Sequence, residues 1–482
     1  MTPRRAWLWA LVAILLAAIG LGSGWVLWRD YLFEVEDFQI PGGVPVLSAV
    51  EPQRLIVPTD APPYALHVAA NGRNFVDQSG NPILIRGDSP WALLSRLSLS
   101  QIETYWRQRQ QQGFNAAIML FVGSREGSGS WDGSTPDGIR PFQNDYLFFN
   151  GDVTRLNPAY LQRTRDAIKS AAQHGITVFL YAADTWSMGR TFRPSSQQAC
   201  ADYGRALAAG VADLPNIVWV LGGDFTLHDS PTSVDRCFDA VRLGIRAAGD
   251  RRPISIQFTS PMTYSTLSTF WASRVDWNFL YSYAPPYQGA RSAFRSDPPK
   301  PVILGETNYE GMNLQPGTPT TTLASLRRQV AWALTSGASG DFWGNDDWQF
   351  PPGWEARTWP GYQQVNSVRD VVGALPWWQM HPAGDREVVI DDRPPSTDLG
   401  RDVLDDDRVT AATDAEHTVA LVYFPASVTV KVVAPFDRSG VRFVWVDPSN
   451  GSRRSTPPSA NATPPGKNAA GDEDWLLEIT RR

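Results

Sequence analysis

The stretch Asn216-Ile217-Val218-Trp219-Val220-Leu221-Gly222-Gly223-Asp224 decides how this sequence is interpreted. Five apolar residues run without interruption and are followed by two glycines and a carboxylate. A short apolar run that is rich in β-branched residues and bounded by glycine is typical of a strand buried on both faces. The run Pro301-Val302-Ile303-Leu304-Gly305-Glu306 repeats the pattern. We therefore expect Asp224 and Glu306 to stand at the carboxyl ends of two buried strands.

Strand-like runs alternate with helical patterns across residues 64–382. The runs are Ile83–Arg86, Asn115–Val122, Thr177–Ala182, Ile217–Leu221, Ile254–Phe258, Trp277–Tyr281, Val302–Leu304 and Ala338–Trp343. Helical periodicity between them covers Leu99–Gln112, Pro158–His174, Ser196–Ala212, Ser233–Ala248 and Leu323–Ser336. Eight alternations predict an α/β fold of the (β/α)8 type, a TIM barrel. An open doubly wound sheet fits the alternation too, but the glycine-rich loop that usually follows its first strand is missing.

The pattern changes after Pro382, and residues 383–482 predict a small all-β sandwich domain. Short alternating runs are separated by Asp, Pro, Gly and Ser, as in many sandwiches. They are Glu387–Ile390, Thr418–Phe424, Val428–Val433, Val441–Val446 and Trp475–Ile479. No catalytic constellation occurs among them, so we place the chemistry in the barrel.

A run without charged residues, from Ala6 to Trp28, precedes both domains. It is long enough to span a hydrocarbon core of about 30 Å. Arg4 and Arg5 before it favour a cytoplasmic N-terminus, with the catalytic domain periplasmic or extracellular. We expect residues 1–30 to form a single-pass signal-anchor helix and residues 31–63 an extended stalk. A cleaved signal peptide is the alternative.

Composition disfavours several classes of protein. The net charge of −6 offers no basic surface for nucleic acid. No CxxC, H-E-x-x-H or 2-His-carboxylate spacing occurs, so neither a metal nor a cofactor is expected. The lack of a G-x-S-x-G elbow disfavours an α/β-hydrolase. Cys200 and Cys237 flank the Trp219 strand and are a possible disulfide if the chain is exported. The oligomeric state does not follow from the sequence.

The two carboxylates suggest a chemistry. Residues at the strand carboxyl ends of a barrel converge on one cavity, and Asp224 and Glu306 follow the fourth and seventh strands. A carboxylate pair cleaves an acetal when one member protonates the leaving oxygen and the other attacks the anomeric carbon or activates water. We expect Asp224 to be the acid/base with a raised pKa, and Glu306 to be an ionised nucleophile in a retaining reaction on a carbohydrate.

Other residues at strand ends and in the following loops are candidates for substrate binding, because aromatic rings stack on sugars and polar groups bind hydroxyls. They are Asp88, Trp91, Trp186, Tyr281, Trp343, Asn345 and Trp348. The alternative for each aromatic side chain is a place in the core. The alternative for Asp88 is to cap the helix that follows it.

Several motifs resemble the apiosidase-like glycoside hydrolases, a (β/α)8 family often followed by a small collagen-binding-like β domain. They are Gly87–Trp91, Gly113–Asn115, Leu156–Tyr160, Asn216–Asp224, Gly305–Glu310 and Gly344–Gln349, with Asp474–Leu477 in the second domain. The resemblance implies that Asp224 and Glu306 are the catalytic pair and that the substrate is a polysaccharide side chain.

The chain departs from the family pattern at three strand ends. The fifth and sixth strands of the family commonly end near a His, and a His-Asn pair commonly follows the eighth. Here those positions read Gln257-Phe258, Tyr281-Ser282-Tyr283 and Asn345-Asp346. The resemblance therefore does not imply a particular sugar.

Two other functions remain compatible with the sequence. One is a non-catalytic carbohydrate-binding or envelope protein on a barrel scaffold, whose sugar affinity would be indifferent to Glu306→Gln. The other is a transglycosylase, which would pass a sugar to an added glycan acceptor in place of water.

Overall fold

The computed structural model describes residues 61–481 except 66, 123–132, 144–152, 154, 186–194, 313–320, 397, 399–400 and 438–439. The expected anchor at residues 1–30 and nearly all of the expected stalk lie outside the described residues. Within the described part of the chain, no helix is both long and apolar enough to cross a membrane. The anchor therefore stays a prediction.

The described chain begins with a small antiparallel sheet. Its strands are β1 (His67–Val68), β2 (Phe75–Val76) and β3 (Pro82–Ile83). The buried ring of Phe75 packs edge-on against Phe179 and Trp277, with ring centroids 6.2 Å and 6.0 Å away. This sheet covers the amino-terminal end of the barrel.

Eight parallel strands form a nearly closed barrel, which confirms the predicted architecture. They are β4 (Ile85–Asp88), β5 (Ala116–Leu120), β6 (Thr177–Asp184), β7 (Ile217–Phe225), β8 (Ile254–Phe258), β10 (Asn278–Ser282), β11 (Val302–Glu306) and β12 (Gly340–Trp343). The strand order is β8-β7-β6-β5-β4-β12-β11-β10, and β9 (Met262–Tyr264) adds an antiparallel strand beside β10. A hydrogen bond of 2.8 Å from the Asp276 nitrogen to the Ile254 oxygen links the β8 and β10 ends of this sheet.

Helices surround the strands and lie close to the predicted positions. They are α1 (Leu93–Arg96), α2 (Leu99–Gln111), α3 (Pro158–Gln173), α4 (Gln197–Gly210), α5 (Ser233–Ala247), α6 (Thr269–Ala272), α7 (Tyr287–Phe294), α8 (Leu323–Leu334) and α9 (Gly361–Gly373). Short 3-10 turns occupy Ser265–Leu267, Trp354–Ala356, Trp377–Gln379 and Val403–Asp405. Side chains fix several starts, as where Ser98 accepts a hydrogen bond from the Gln101 nitrogen before α2.

Residues 380–481 form antiparallel sheets, which confirms the all-β character of the second domain. The larger sheet contains β13 (Met380–Pro382), β15 (Thr410–Asp414), β16 (Val419–Phe424), β18 (Val441–Val446), β19 (Arg453–Thr456) and β21 (Trp475–Arg481). The smaller contains β14 (Val389–Ile390), β17 (Val430–Val432) and β20 (Asn461–Ala462). Buried side chains such as Phe424, Val432 and Leu477 form one core from both sheets.

The β domain packs against α8, the helix that follows β11. The rings of Trp332 and Tyr423 meet edge-on with centroids 5.8 Å apart. Arg327 and Asp474 form a fully buried ion pair, in which Arg327 Nη2 donates to Asp474 Oδ1 at 2.8 Å and Arg327 Nε donates to Oδ2 at 3.2 Å. The two domains are therefore joined by both apolar packing and a two-point charge contact.

A disulfide joins Cys200 of α4 to Cys237 of α5, with the two Cα atoms 5.6 Å apart. The segment between the two cysteines contains β7 and Asp224. The bridge therefore ties together the two helices that precede and follow this strand.

Candidate active site

The end of β7 has an irregular backbone that positions Asp224. Gly222, Gly223 and Asp224 all lie in the left-handed region, with φ of +98°, +65° and +53°. The pairing of β7 with β8 jumps from Leu221 to Phe225, as in a β-bulge. A Cβ at Gly222 would lie 2.2 Å from the Gln257 carbonyl oxygen, so the close approach requires glycine. Holding a non-glycine residue in this region costs about 1–3 kcal/mol, and such strain is common at functional sites.

Glu306 ends β11 beside a second irregularity. Leu280 pairs with Leu304, but the next residue, Tyr281, pairs with Glu306. The Glu306 side chain is buried, with 7% of the residue exposed. The Tyr283 hydroxyl donates to its Oε1 at 3.0 Å, and the Gln257 amide nitrogen donates to its Oε2 at 2.6 Å. Both oxygens of this carboxylate are therefore held.

Gln257 connects the two carboxylates. Its amide nitrogen lies 2.6 Å from Glu306 Oε2 and 3.4 Å from Asp224 Oδ1, so these two oxygens are no more than 6.0 Å apart. The structure thus brings together the two residues that the sequence singled out. The bridging amide comes from β8, which lies beside β7 in the sheet.

The pair has unusual electrostatics. Burial raises the pKa of Glu306 well above its ordinary range, and the negative charge of Asp224 raises it further. Hydrogen bonds from Tyr283 and Gln257 oppose this rise. Two like charges this close disfavour double ionisation, so the pair keeps one proton to a higher pH than separate carboxyls would. The sequence analysis expected an ionised Glu306, whereas the pKa of Glu306 is raised because its side chain is buried.

Tyrosines surround the pair and supply hydroxyl groups. They are Tyr181, Tyr281, Tyr283 and Tyr309. Burial, followed by the charge of Glu306, raises the pKa of each well above the ordinary tyrosine range. They therefore stay protonated and act as donors. The Tyr281 hydroxyl donates to that of Tyr283 at 2.8 Å, and Tyr283 in turn donates to Glu306.

The barrel domain matches a known family. The model of the apiosidase-like catalytic domain matches residues 69–379 of this chain. The chain belongs to the apiosidase-like glycoside hydrolases. Comparison with curated protein sequences returns no significant match.

Solved structures share the fold of this apiosidase-like enzyme. A structure described as a glycoside hydrolase has 18% sequence identity and a TM-score of 0.71, and the match covers 87% of this chain and 97% of that one. A structure described as a glycoside hydrolase of family 5 from Bacteroides vulgatus has 19% identity and a TM-score of 0.70, with coverage of 86% and 94%. At these identities the similarity concerns the fold.

Three of the predicted substrate-binding residues belong to the apolar core inside the barrel, as the alternative expected: Trp91 and Tyr281 are buried in it, and Trp348 packs against it. The indole nitrogen of Trp91 donates to the Tyr309 hydroxyl, and its ring meets the Tyr181 ring edge-on with centroids 5.1 Å apart. Asn345 lies on the loop after β12, where its Oδ1 accepts a hydrogen bond of 2.8 Å from the Asp347 nitrogen. The predicted contacts of these residues with substrate stay predictions.

The structure places Asp88 and Trp343 apart from the pair. They are neighbours on β4 and β12. Asp88 Oδ2 accepts hydrogen bonds of 2.5 Å from Arg109 Nε and from the Tyr105 hydroxyl, both on α2. The Arg109 guanidinium also lies over the Trp343 ring, 5.5 Å from its centroid. Both side chains thus face the helices, and their predicted substrate contacts stay predictions. Trp186 lies outside the described residues.

The contacts of Gln257 and Tyr181 beside the pair were not predicted from the sequence. The Tyr181 hydroxyl donates to Gln257 Oε1 inside the barrel. The available signal was a buried polar residue within the otherwise apolar end of the run Ile254–Phe258. A polar side chain in such a strand requires a hydrogen-bond partner, and this marks it as a candidate. Among the described residues, no group of three His, Cys, Asp or Glu could hold a metal ion.

Proposed function

We propose that this enzyme cleaves its carbohydrate substrate with retention, using Glu306 as nucleophile and Asp224 as acid/base. The observation that carries the proposal is the separation of no more than 6.0 Å between Asp224 Oδ1 and Glu306 Oε2. Retaining glycosidases hold their carboxyl groups about 5–5.5 Å apart, whereas inverting ones need about 6.5–9.5 Å to admit a water molecule. The spacing favours retention.

The proposed reaction has two steps, and Asp224 gives up one proton in the first and takes one back in the second. A Glu306 oxygen bonds to the anomeric carbon while Asp224 gives its proton to the leaving oxygen and the carbon–oxygen bond breaks. Asp224 then takes a proton from water, and the water oxygen displaces Glu306 from the anomeric carbon. Glu306 is assigned as the nucleophile because Gln257 and Tyr283 donate to both its oxygens, and these hydrogen bonds oppose the rise in its pKa that burial causes. The productive state has its single proton on Asp224.

The test is hydrolysis of a panel of aryl pentosides and hexosides, furanose and pyranose, by the full chain. E306Q should lower kcat by at least about 10⁴-fold, and D224N by about 10²–10⁴-fold. The D224N defect should shrink with a dinitrophenyl leaving group, which departs without a proton. D229N, an exposed carboxylate on the loop after β7, is the matched control and should keep wild-type activity.

The stereochemistry of the product tests the retaining mechanism, and the two variants test the catalytic pair. Proton NMR of the first sugar released should show the anomeric configuration of the substrate. An inverted product would exclude the retaining mechanism, and wild-type activity in either D224N or E306Q would remove that residue from the catalytic pair.

We further propose that the enzyme is exported and held at the membrane by residues 1–30. Two observations support this, namely the uncharged run Ala6–Trp28 and the disulfide between Cys200 and Cys237, a bond typical of oxidising compartments. The full chain should sediment with membranes after a carbonate wash, and external protease should reach the catalytic domain. A released protein whose N-terminus lies after residue 20 would instead indicate a cleaved signal peptide.

A further inference from the structure

We propose that Gln257 is a positioning residue of the hydrolytic site, which holds Asp224 and Glu306 at their working distance, and that Tyr181 fixes the orientation of its amide. The inference rests on the proposed function, because the two carboxylates are the proposed catalytic pair. The sequence pattern assigned no role to either residue.

The hydrogen bonds determine which way the amide faces. Gln257 is 1% exposed. Its Oε1 accepts from the Tyr181 hydroxyl, and its Nε2 lies 2.6 Å from Glu306 and 3.4 Å from Asp224. An amide nitrogen only donates and an amide oxygen only accepts. The flipped amide would place its oxygen against two carboxylates, so the donor from Tyr181 and the two acceptors all select one orientation.

The chemistry of an amide suits this place. Its nitrogen carries two hydrogens, one for each carboxylate. It neither gains nor loses a proton over the working range of pH, so it can hold both residues whichever of them carries the shared proton. Donation to a carboxylate favours the ionised form. Gln257 therefore opposes the rise in the pKa of Glu306 that burial causes.

The Gln257 amide is a neutral hydrogen-bond donor among acidic groups. The titratable groups around it are Asp224 of β7, Glu306 of β11, Tyr181 and Asp184 of β6, Tyr281 of β10, and the neighbouring Tyr283 and Tyr309. All of these are acids. In the described part of the chain, the hydrogen bonds to Glu306 thus come from neutral groups, and the shortest of them comes from Gln257.

The test follows the carboxyl proton itself and needs no substrate. Infrared difference titration of the full chain should show a protonated carboxyl band that persists above the ordinary carboxyl range and disappears in E306Q. In Q257M, which keeps the side-chain length and loses the amide, this band should titrate at higher pH. Y181F should move it in the same direction by less. The Q257M/Y181F double variant should match Q257M, because Tyr181 acts through Gln257.

A matched control separates positioning from general damage. Tyr203 is buried, and its hydroxyl donates to the Ala182 oxygen at 2.6 Å, on the helix side of β6. Y203F loses the same atom and should titrate like the wild type even where its Tm falls. The proposal is overturned if the Q257M band titrates like the wild type, or if the double variant shows the sum of the two single shifts.

Enzyme kinetics test the role of Gln257 independently of the infrared titration. On any aryl glycoside that the wild type hydrolyses, Q257M should lower kcat by about 10- to 100-fold and shift the acidic limb of the kcat/KM profile upward, with KM changed less. An unshifted profile would overturn the proposal. Failure of the proposed mechanism would look different, since E306Q would then remain active while the infrared shift in Q257M persisted.

Discussion

Carboxylates are buried in two regions of this enzyme with opposite surroundings. At the contact between the barrel and the β domain, Asp474 is paired with the guanidinium of Arg327, and neither side chain is exposed. In the active site Glu306 is buried almost as deeply, but Tyr283 and Gln257 donate to it as neutral groups. The charge of Asp224, which has the same sign, makes its ionisation harder.

The comparison shows what each arrangement is suited to. Two hydrogen bonds from the Arg327 guanidinium satisfy the buried Asp474 side chain and fix one domain against the other. In the active site the donors are neutral and the neighbouring carboxyl has the same charge, so Asp224 and Glu306 share one proton. Strongly shifted pKa values cluster at functional sites for this reason. The same type of side chain therefore contributes to structure in one place and, in the proposed mechanism, to reactivity in the other.

Breaking the structural pair should have the largest effect on stability. Arg327→Met leaves Asp474 buried without its cation, and the loss of one partner of a buried pair costs about 3–5 kcal/mol. Thermal and denaturant unfolding should show this loss, while kcat per folded molecule should change little. R327M combined with Asp474→Leu should recover most of the stability, because an apolar replacement of both partners is often neutral.

A surface ion pair in the same β domain is the control. Arg453 lies 2.6 Å from Glu478, and 44% of its side chain is exposed. Arg453→Met should cost less than about 1 kcal/mol. Equal losses in R327M and R453M would contradict the contrast between buried and exposed pairs.

Replacing Glu306 with a neutral side chain should raise stability, whereas breaking the Arg327–Asp474 pair should lower it. The folded state binds the Glu306 proton more tightly than the unfolded state, because the pKa is raised. This contribution to stability is present at low pH and is lost as pH rises from the ordinary glutamate range through the raised pKa. E306Q does not titrate, so at neutral pH it should be more stable than the wild type by about 1 kcal/mol, which for a chain of this size raises Tm by about 1–2 °C.

Differential scanning calorimetry over a range of pH checks this sign. The advantage of E306Q should grow as pH rises from 4 to 8. The new amide fits the site, since the Tyr283 hydroxyl can accept where it formerly donated. A constant difference across the pH range would mean that the substitution acts through packing.

The smallest expected effect concerns Glu310, whose surroundings are intermediate between those of Asp474 and Glu306. Both of its oxygens accept the Gly361 nitrogen at 2.9 Å, at the start of α9, and burial raises its pKa to about 7. Its contribution to stability declines as pH rises toward 7. Glu310→Gln should flatten the dependence of Tm on pH between 5 and 8, while the change at pH 7 stays below about 1 kcal/mol because the helix N-terminus also favours a negative charge. An unchanged slope would contradict the assignment.

Much of the fold could be predicted because the barrel strands are contiguous apolar runs. The run Ile217–Leu221 is fully apolar and became β7. Elements with a weaker pattern were missed. Helix α7 is short and contains Gly289, and β19 consists of polar residues that are mostly exposed at a sheet edge. Their position depends on tertiary contacts, which local pattern does not encode.

The active site could be predicted only in part, for a geometric reason. A carboxylate after a strand lies at the correct end of a barrel, which was enough for Asp224 and Glu306. Whether a terminal side chain faces the barrel or the helices depends on strand parity and on bulges. Asp88 faces α2 by this rule. The contact of Gln257 with Asp224 depends on the left-handed turn at Gly222, which the sequence does not reveal.

The disulfide has a consequence for the durability of the enzyme. The loop between Phe225 and Ser233 contains no buried residue, and it lies within the segment that Cys200 and Cys237 enclose. A protease that cuts this loop leaves both fragments covalently joined, with Asp224 still anchored in β7 between β6 and β8. The nicked enzyme should run as one band without reductant and as two with it. The proposed export would expose the enzyme to external proteases, and the disulfide would let it survive a cut close to Asp224.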